Sequence, residues 1–488
     1  MDLRHDVAAR GGEIAGRWEA ALPIPKEAIP SVRNLAAYLA LRHRDLRDLQ
    51  DDLAFRGLSS LGRCESRVLA TLDAVCATLA RCSDGPAKSE DWPGPGTFYH
   101  GVERIEQAAE ALFGAPGASG SQIMVTLPAS AATERTWCRR MIEAGVACFR
   151  VNCAHDSPEL WGQMIRNVRA AAKTAGREVR VEMDLTGPRA RTAECRLKDG
   201  ERRAKVGDKI LLARQQLPPE VQAPFEAVCS LPEVVDALEE GTTLFFNEGR
   251  LGAVVTRKLP SGALLTVSQV AKEKGERFRS DMGINVLDVP LRLPALTERD
   301  RRHLDVVVHE ADIVGYSFVQ SAADMDVLHE EIASRARLRK RERPLAVVAK
   351  IETALAVQNL PEIIVHGLCR APLGVMIARG DLAVELGPVR LAEVQEELLW
   401  ICEAAHVPVV WATQVLESLA KKGLPSRAEL TDAAMSERAE CVMLNKGPYI
   451  LEAVKTLDAV LTRMKGHQRK KMARFRPLRS WEHLLGVE

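Results

Sequence analysis

The chain is 488 residues long, and its charges nearly cancel, with 67 Lys and Arg residues against 66 Asp and Glu residues. This length predicts two to four domains, or one large barrel with additions. The charge balance argues against bulk binding of nucleic acid or of a membrane surface. A basic run at 465–476 is a local exception, which we interpret first as a solvated tail or helix end and second as an anion-binding surface.

Cysteine usage and hydropathy indicate a cytoplasmic protein. The 11 cysteines are scattered along the chain without a C-x-x-C pair, which disfavours zinc and disulfide scaffolds and indicates reduced thiols. No apolar run approaches the length of a membrane span, and the polar start lacks the apolar segment of a signal peptide. We therefore expect no membrane partner.

Residues 1–113 predict an α-helical domain. Leucine and valine recur near helical spacing between residues 35 and 79, and Ser59 and Ser60 are candidate caps for the second helical run. A further helix is predicted over 102–113, followed by a linker at 114–120. We interpret this unit as a packing or dimerisation module rather than as a ligand site.

From residue 121 onwards the sequence alternates short apolar runs with longer amphipathic stretches, which predicts the α/β class. The predicted strands are 122–127, 147–151, 179–185, 313–318, 346–351, 374–378, 407–412 and 441–444. Eight nearly continuous apolar strands with helices between them match a parallel (β/α)₈ TIM barrel better than an open sheet. The barrel domain is predicted over 121–192 and 284–466.

The connection between the third and fourth strands is far too long for a simple crossover. Residues 193–283 contain short strand-like runs separated by Gly- and Pro-bearing turns, such as 205–212 and 243–246. Because a structureless loop of this length is improbable, we predict an inserted small β-domain here. Residues 467–488 are predicted to be a basic C-terminal tail.

Polar or charged residues follow almost every predicted barrel strand. These segments are 126–130, 149–155, 184–192, 350–352, 378–381 and 412–414. Barrel active sites lie at the carboxyl ends of the strands, so these side chains should share one rim. Any one of them alone would be read as a solvated strand end, but six together predict a site.

The chemistry of this rim is that of a divalent metal and a phosphoryl group. Glu352 and Asp381 supply the hard oxygen ligands that Mg²⁺ prefers. Lys350 and Arg150 can neutralise charge on a phosphoryl group in transfer. Gly380 has no Cβ, which permits a close approach of backbone to an anion. In addition, a hydroxyl at residue 413 suits a hydrogen-bonded contact or a proton relay.

The motifs on this rim resemble those of the pyruvate kinase family. They are A-K-I-E at 349–352, I-A-R-G-D at 377–381, A-T-Q-V-L-E-S at 412–418, P-S-R-A-E at 425–429, and R-x-N at 150–152 with His155. The resemblance covers about residues 121–464. It implies a phosphotransferase that uses Mg²⁺ or Mn²⁺ to move a phosphoryl group from phosphoenolpyruvate to ADP, giving pyruvate and ATP.

The resemblance also implies a role for each rim residue. The implied catalytic residues are Lys350, Arg150 and Thr413. The same three residues, with Gly380 and Asp381, are the implied phosphoenolpyruvate contacts. The implied metal ligands are Glu352 and Asp381, and the implied nucleotide contacts are Asn152, His155 and Arg191. The insertion would be the lid that closes over the site and excludes water.

One departure from the family concerns the monovalent cation. Members that need K⁺ hold it with an Asn, a Ser, an Asp and a backbone carbonyl, and Asn152, Asp184 and Leu185 match three of these positions. Alanine stands at the serine position, and the G-P-E-x-R motif has Arg189 instead of glutamate. In the family a lysine there accompanies independence of K⁺. Because arginine is always protonated, Arg189 would replace the charge of the cation, and we predict activity that does not require K⁺.

Two further departures concern turnover. Met282 stands where the family usually has a lysine that reaches towards ATP, and Asn445-Lys446-Gly447-Pro448 replaces the usual L-S-G-E-T segment after the eighth strand. Lys446 adds a positive charge that a different substrate could use. Two alternatives therefore stay open: the same site with a changed phosphoryl acceptor or donor, and a catalytically silent protein that binds a phosphorylated metabolite.

The ends of the chain differ most from the family. Pyruvate kinases usually carry a C-terminal domain for effector binding and tetramer contacts, whereas little sequence follows the last predicted barrel helix, 451–464. The resemblance therefore implies no family-type regulation by a sugar phosphate. We expect a homo-oligomer, a dimer or tetramer, with contacts from the helical N-terminal unit.

Overall fold

The N-terminal part of the chain is helical, as predicted. The computed structural model describes residues 2–82, 92–198, 202–218, 223–247, 249–287, 293–337, 344–470 and 472–473. The first helices are α1 (Asp2–Ala21), α2 (Ile29–Arg42), α3 (Arg47–Phe55), α4 (Val68–Cys82) and α5 (Pro95–Phe113). Helix α5 begins earlier than the predicted residue 102, because a proline in the first turn of a helix forfeits no hydrogen bond.

The predicted serine caps of the second helical run are wrong. Helix α4 begins at Val68, after a 3₁₀ turn at Glu65–Arg67, well beyond Ser59 and Ser60. The Val68 N–H donates instead to Oδ1 of Asn34, 2.9 Å away in helix α2. A residue distant in sequence thus satisfies the exposed amide at the helix start, which local pattern cannot reveal.

The TIM barrel is confirmed, and all eight predicted strands are present with small shifts at their ends. Its first half contains β1 (Gln122–Thr126), α6 (Arg135–Glu143), β2 (Cys148–Asn152), α7 (Pro158–Thr174) and β3 (Arg180–Asp184). Short 3₁₀ turns lie at Ala129–Ala132 and Ser436–Arg438. The strands are buried on both faces because helices cover the outside and side chains fill the inside.

A β-insertion follows β3, and it extends past the predicted boundary at residue 283, because residues 284–286 pair within its sheet. Its elements are β4 (Thr192–Leu197), β5 (Arg203–Ala204), β6 (Lys209–Ala213), β7 (Phe225–Cys229), α8 (Pro232–Asp236), β8 (Thr243–Phe246), β9 (Leu251–Leu259), β10 (Gly262–Val270), β11 (Glu276–Arg277) and β12 (Ile284–Val286). Seven strands form one sheet in the order β12-β8-β9-β10-β6-β7-β4, and β5 pairs with β11. The sheet has its own apolar core, separate from that of the barrel.

The second half of the barrel runs from residue 298 to residue 465. Its elements are α9 (Glu298–Glu310), β13 (Ile313–Tyr316), α10 (Ala322–Ala336), β14 (Ala346–Ile351), α11 (Ala354–Gln358), α12 (Leu360–Leu368), β15 (Leu373–Ala378), α13 (Arg379–Leu386), α14 (Pro388–Ala404), β16 (Val409–Ala412), α15 (Glu417–Lys422), α16 (Arg427–Met435), β17 (Cys441–Leu444) and α17 (Ile450–Lys465). Strand β17 pairs in parallel with β1 and closes the barrel.

The C-terminal tail predicted beyond residue 466 lies mostly outside the described residues. What is described of it forms a short hairpin, β18 (Gln468–Arg469) with β19 (Met472–Ala473). Among the helices of the described residues, none is both long and apolar enough to span a membrane.

Helix α5 closes the amino end of the barrel. Leu112 and Phe113 at its end belong to the same apolar cluster as Met124, Cys148 and Met376, which point into the barrel. A Cβ added to Gly374 of β15 would lie 2.9 Å from Leu112, so the helix packs directly on the strand backbone. With this end plugged, the active site is expected at the opposite, carboxyl end, as in other barrels of this type.

The N-terminal helices pack against the barrel helix α14. Asn34 of α2 donates to the carbonyl of Ala404 (2.8 Å) and to that of Glu65 (2.7 Å). His406, just after α14, is buried between Ser31 and Ser66: its Nδ1 lies 3.0 Å from Ser31 Oγ and its Nε2 lies 2.9 Å from the Ser66 carbonyl. These contacts make the helical unit part of one core with the barrel.

The buried imidazole of His406 predicts a loss of stability in acid. Burial, with smaller effects of Arg104 and His100, lowers its pKa from 6.5 to about 4. Because the unfolded chain takes up this proton at a higher pH than the folded chain, stability falls as the pH drops from 6.5 towards 4. A shift of this size corresponds to about 3 kcal/mol of unfolding free energy as an upper estimate.

Urea denaturation at pH 7 and pH 5 checks this result. His406→Gln should be less stable at pH 7 and should lose less stability between the two pH values than the wild-type chain. His309→Gln, at an exposed histidine of α9, is the matched control and should keep the wild-type pH dependence. An unchanged pH dependence in His406→Gln would contradict the assignment.

Candidate active site

Strand register brings two ion pairs into the carboxyl end of the barrel. Asn152 and Asp184 are register partners at the ends of β2 and β3, and Arg150 lies one inward position before Asn152. The Arg150 guanidinium donates from Nε to Asp184 Oδ2 at 3.0 Å, and its Nη2 forms a second, shorter bond to the same oxygen. Both side chains are almost fully buried, so this pair is fixed in position.

Lys350 joins this pair from the end of β14. Its ammonium lies 3.2 Å from Asp184 Oδ1 and 3.3 Å from Glu352 Oε1, and it donates to Ser317 Oγ at 2.7 Å. Burial acts to lower the pKa of Lys350, but the carboxylates of Asp184 and Glu352 together outweigh it, and the pKa lies above its ordinary value. The barrel end therefore holds a permanent cation, ready to bind an anionic group.

Sequence reasoning missed Ser317 as a member of this cluster. Ser317 follows β13, and its hydroxyl accepts from Lys350 and donates to the Leu185 carbonyl at 2.7 Å. The sequence contained a signal for Ser317, because it is the first polar residue after the apolar run 313–316. The other site residues were predicted from the same kind of position, directly after an apolar strand.

Glu182 was also missed, and it lies deeper in the barrel. It is fully buried on the same inward face of β3 as Asp184, and neither of its carboxyl oxygens has a hydrogen-bond partner among the described residues. Burial and the neighbouring Asp184 raise its pKa to about 8, which favours the protonated form. An acidic residue two positions before Asp184 in an apolar strand was the available signal.

The two predicted metal ligands lie together at the ends of β14 and β15. Glu352 is 4% exposed, and its Oε2 accepts from the Phe318 N–H at 2.7 Å. Burial raises the pKa of Glu352, and the nearby Asp381 raises it further against the opposing Lys350. Two neighbouring carboxylates, Glu352 buried and Asp381 partly exposed, have charges that repel each other. A hard divalent cation would stabilise such a donor set, so the residues fit Mg²⁺ or Mn²⁺.

Among the residues that the structure describes, no larger metal cluster surrounds this pair. Within the described ranges, no group of three or more His, Cys, Asp or Glu side chains is arranged to hold a metal ion. A cation at Glu352 and Asp381 would therefore take its other ligands from water and from substrate oxygens, as Mg²⁺ commonly does.

Arg189 forms an ion pair with one of the two predicted metal ligands. Its Nη2 donates to Asp381 Oδ1 at 2.9 Å, with side-chain exposures of 27% and 13%. The structure therefore pairs Arg189 with Asp381, while Asp184 takes its positive charge from Arg150 and Lys350. The other two residues of the predicted monovalent-cation site are also engaged, since Asn152 Oδ1 accepts from the Ala154 N–H and the Leu185 carbonyl accepts from Ser317.

The loop after β16 holds Thr413 in a strained conformation. Thr413 and Gln414 have positive φ angles of 65° and 60°, a region that costs a non-glycine residue about 1–3 kcal/mol. Arg379 holds this loop, since it donates to the carbonyls of Ala412 (3.0 Å) and Thr413 (2.7 Å). Strain of this kind persists only where neighbouring contacts impose it.

Thr413 is in turn oriented by the start of α13. Its Oγ1 accepts from the Gly380 N–H at 2.9 Å, which leaves the hydroxyl proton for a partner in the site. A Cβ added to Gly380 would lie 3.7 Å from Thr413 Oγ1, an ordinary contact, so packing there leaves room for a side chain.

The three predicted nucleotide contacts lie on the β2–β3 side of the rim. Asn152 ends β2, His155 is exposed in the loop that follows, and Arg191 pairs with Asp281 at 2.8 Å where the insertion begins. These side chains are more exposed than the Lys350–Asp184 cluster. The structure therefore brings together the phosphoryl and metal residues more tightly than the nucleotide residues.

The two segments that depart from the family pattern, at Met282 and at Asn445–Pro448, lie in different surroundings. Met282 is fully buried in the core of the insertion, where its Sδ lies 3.3 Å from the Arg279 N–H. Asn445, by contrast, faces the site, because its Oδ1 lies 3.3 Å from Thr126 Oγ1, which accepts from Arg150. Lys446 is exposed at the same rim.

These features define a TIM-barrel protein whose carboxyl rim holds buried cations beside two metal-type carboxylates. The family model described as the pyruvate kinase barrel domain matches residues 119–454. The chain belongs to the pyruvate kinase family.

Individual relatives agree with this assignment. A pyruvate kinase of Geobacillus stearothermophilus is 29% identical over 340 residues, which cover 66% of this chain and 53% of that protein. Human pyruvate kinase PKLR is 32% identical over 364 residues, 70% of this chain and 59% of that protein. The chain thus spans little more than half the length of these relatives.

A solved structure confirms the fold. A pyruvate kinase from Cryptosporidium parvum superposes with a TM-score of 0.62 at 24% identity, over 73% of this chain and 70% of that one. At this identity the likeness concerns the fold.

Proposed function

We propose that the chain is a phosphotransferase that moves a phosphoryl group from phosphoenolpyruvate to ADP, giving pyruvate and ATP, and that it depends on Mg²⁺ or Mn²⁺. The observation that carries the proposal is the buried cluster of Lys350, Arg150 and Asp184 beside Glu352 and Asp381. Two fixed cations and a metal-type carboxylate pair at one barrel end suit a phosphorylated acid.

In this reaction the bond between phosphorus and the enol oxygen breaks, and a bond forms between phosphorus and an ADP oxygen. Lys350 and Arg150 would stabilise the negative charge on the phosphoryl group, because fixed cations in a water-poor site need no reorganisation. A divalent cation at Glu352 and Asp381 would add charge neutralisation and orient the substrate oxygens.

The enolate left behind must gain a proton to become pyruvate. Thr413 would supply this proton; the hydrogen bond from the Gly380 N–H supports the role, because it uses the hydroxyl oxygen as acceptor and leaves the hydroxyl proton available. Water would resupply the hydroxyl. The insertion would act as a lid that excludes bulk water from the transfer step.

A second candidate keeps the site and changes the acceptor. Two observations favour it: Met282 is buried in the core of the insertion, and Lys446 adds an exposed cation at the rim near Asn445. A catalytically silent protein that binds a phosphorylated metabolite is a third possibility, which the intact cluster of Lys350, Glu352 and Asp381 disfavours.

A coupled assay of pyruvate release with phosphoenolpyruvate, ADP and Mg²⁺ tests the proposal directly. Turnover that requires all three supports it. Binding of phosphoenolpyruvate by calorimetry, without turnover on addition of ADP, would overturn the ADP-dependent reaction and favour the changed acceptor or the silent binding protein.

We also predict that this activity does not require K⁺. The oxygens that would hold the ion are already engaged, since Asp184 balances two cations and Asn152 and Leu185 accept hydrogen bonds. Replacing NaCl with KCl at constant ionic strength should change the rate by less than about twofold, because fixed guanidinium and ammonium groups already supply the charge. Tetramethylammonium chloride is the control salt, and a large rate increase specific to K⁺ would contradict the prediction.

A further inference from the structure

The connection that leads from the barrel into the insertion runs beside the start of the last insertion strand, β12. Outgoing residues 190–192 pair with returning residues 282–284: the Ile284 N–H donates to the Ala190 carbonyl at 2.8 Å, and the Thr192 N–H donates to that of Met282 at 2.9 Å. An isolated β-bridge joins Arg191 to Gly283 between them. These paired segments, here called the hinge, form the base of the insertion, where the chain enters it from the barrel.

Arg189 extends from the hinge to the metal-ligand pair. Its guanidinium passes the returning segment closely, because a Cβ added to Gly283 would lie 3.4 Å from Arg189 Nε. The same guanidinium ends 2.9 Å from Asp381 Oδ1. One side chain therefore lies beside the hinge and pairs with a carboxylate that the proposed function gives to the metal.

The surroundings of Arg189 leave the hinge room to move. Arg189, Ala190 and Ile284 line a cavity of about 310 Å³ between the insertion and the barrel, together with Phe318 and Glu385. Because this space is not filled by side chains, the guanidinium can withdraw from Asp381 without displacing the core of either part.

We propose that Arg189 competes with the divalent cation for Asp381 and thereby links metal occupancy to the position of the insertion. This inference rests on the proposed metal site. A guanidinium and a divalent cation at the same carboxylate repel each other, so binding of the metal weakens the Arg189–Asp381 pair. By reciprocity, movement of the hinge that withdraws Arg189 strengthens metal binding by the same factor.

Titration with Mn²⁺, followed by the electron paramagnetic resonance of the free ion, measures this competition without substrates. Arg189→Gln should bind Mn²⁺ about tenfold more tightly than the wild-type chain, within the usual range of coupling between sites. Arg189→Lys keeps the positive charge and should stay close to wild type. Arg214→Gln, which removes an equal charge from an exposed pair with Asp236 on the insertion, is the matched control and should also match wild type.

Hydrogen exchange of the hinge amides supplies the second readout. Saturating Mn²⁺ should speed exchange at Thr192 and Ile284 in the wild-type chain, because it releases Arg189 from Asp381. In Arg189→Gln the same addition should leave these amides unchanged.

The outcomes separate this inference from the proposed function. If wild type binds Mn²⁺, Asp381→Asn abolishes that binding, and Arg189→Gln binds equally or more weakly, then the competition is overturned and the metal site stands. If wild type shows no Mn²⁺ binding that depends on Asp381, the proposed metal site itself fails, and the inference fails with it.

Discussion

Substituting Lys350 by methionine is expected to lower the rate of pyruvate release by at least about a thousandfold, because it removes the central cation from the phosphoryl site. The ammonium is buried and lies within 3.3 Å of two carboxylates, Asp184 and Glu352. Methionine keeps a similar length and leaves both carboxylates with less positive charge. The coupled assay at saturating Mg²⁺ measures the loss in kcat.

Loss of activity must be separated from loss of folding. Arg150 still pairs with Asp184 in this variant, so the chain should fold, with a destabilisation of about 1–3 kcal/mol in urea from the weakened buried ion pairs. Lys455→Met, on the exposed face of α17, is the matched control and should keep full activity. A folded Lys350→Met variant that retains a tenth or more of the wild-type rate would rule out the assigned role.

Substituting Arg379 by methionine is expected to destabilise the chain by about 2–3 kcal/mol and to lower kcat about a hundredfold. Arg379 holds two carbonyls of the strained loop, pairs with Asp432 at 2.9 Å, and stacks on the Trp411 ring with 4.5 Å from its guanidinium carbon to the centroid. Without these contacts the loop should relax from positive φ, and Thr413 should leave its bonded position at Gly380.

The two effects have separate measurements. Urea denaturation reports the stability, and the coupled assay should show a fall in kcat with a smaller change in KM, because Arg379 acts through Thr413 and touches no proposed substrate atom. Arg390→Met, which removes an exposed pair with Glu393 on α14, should behave as wild type in both assays. Wild-type kcat in a destabilised Arg379→Met variant would show that the contacts serve stability alone.

The barrel was predictable because its signals are local. Each strand is an apolar run such as 346–351, and each is followed by helical periodicity, so element type and order follow from the sequence. Membership of the rim was also predictable, since parallel strands of one barrel present their carboxyl ends on one side. Lys350, Glu352 and Asp381 are close in space for that reason.

Contacts between distant segments were less predictable. From the sequence, Arg189 is predicted to replace the charge of a bound monovalent cation. In the structure it pairs instead with Asp381, 192 positions away in sequence. The helix start at Val68 is satisfied by Asn34 in a different helix, so local cap rules pointed to the wrong serines. Such pairings depend on how helices and insertion pack, which short-range pattern does not contain.

By itself, the sequence determined the class of fold, the order of its elements and which residue types stand at the rim, because periodicity and strand ends are properties of neighbouring residues. Only the tertiary structure decided the partners: Asp184 balancing two cations, Glu182 buried without a hydrogen-bond partner among the described residues, and Arg189 placed between hinge and Asp381. Charge pairing and burial depend on distances of a few ångströms between segments far apart in the chain, and folding alone sets those distances.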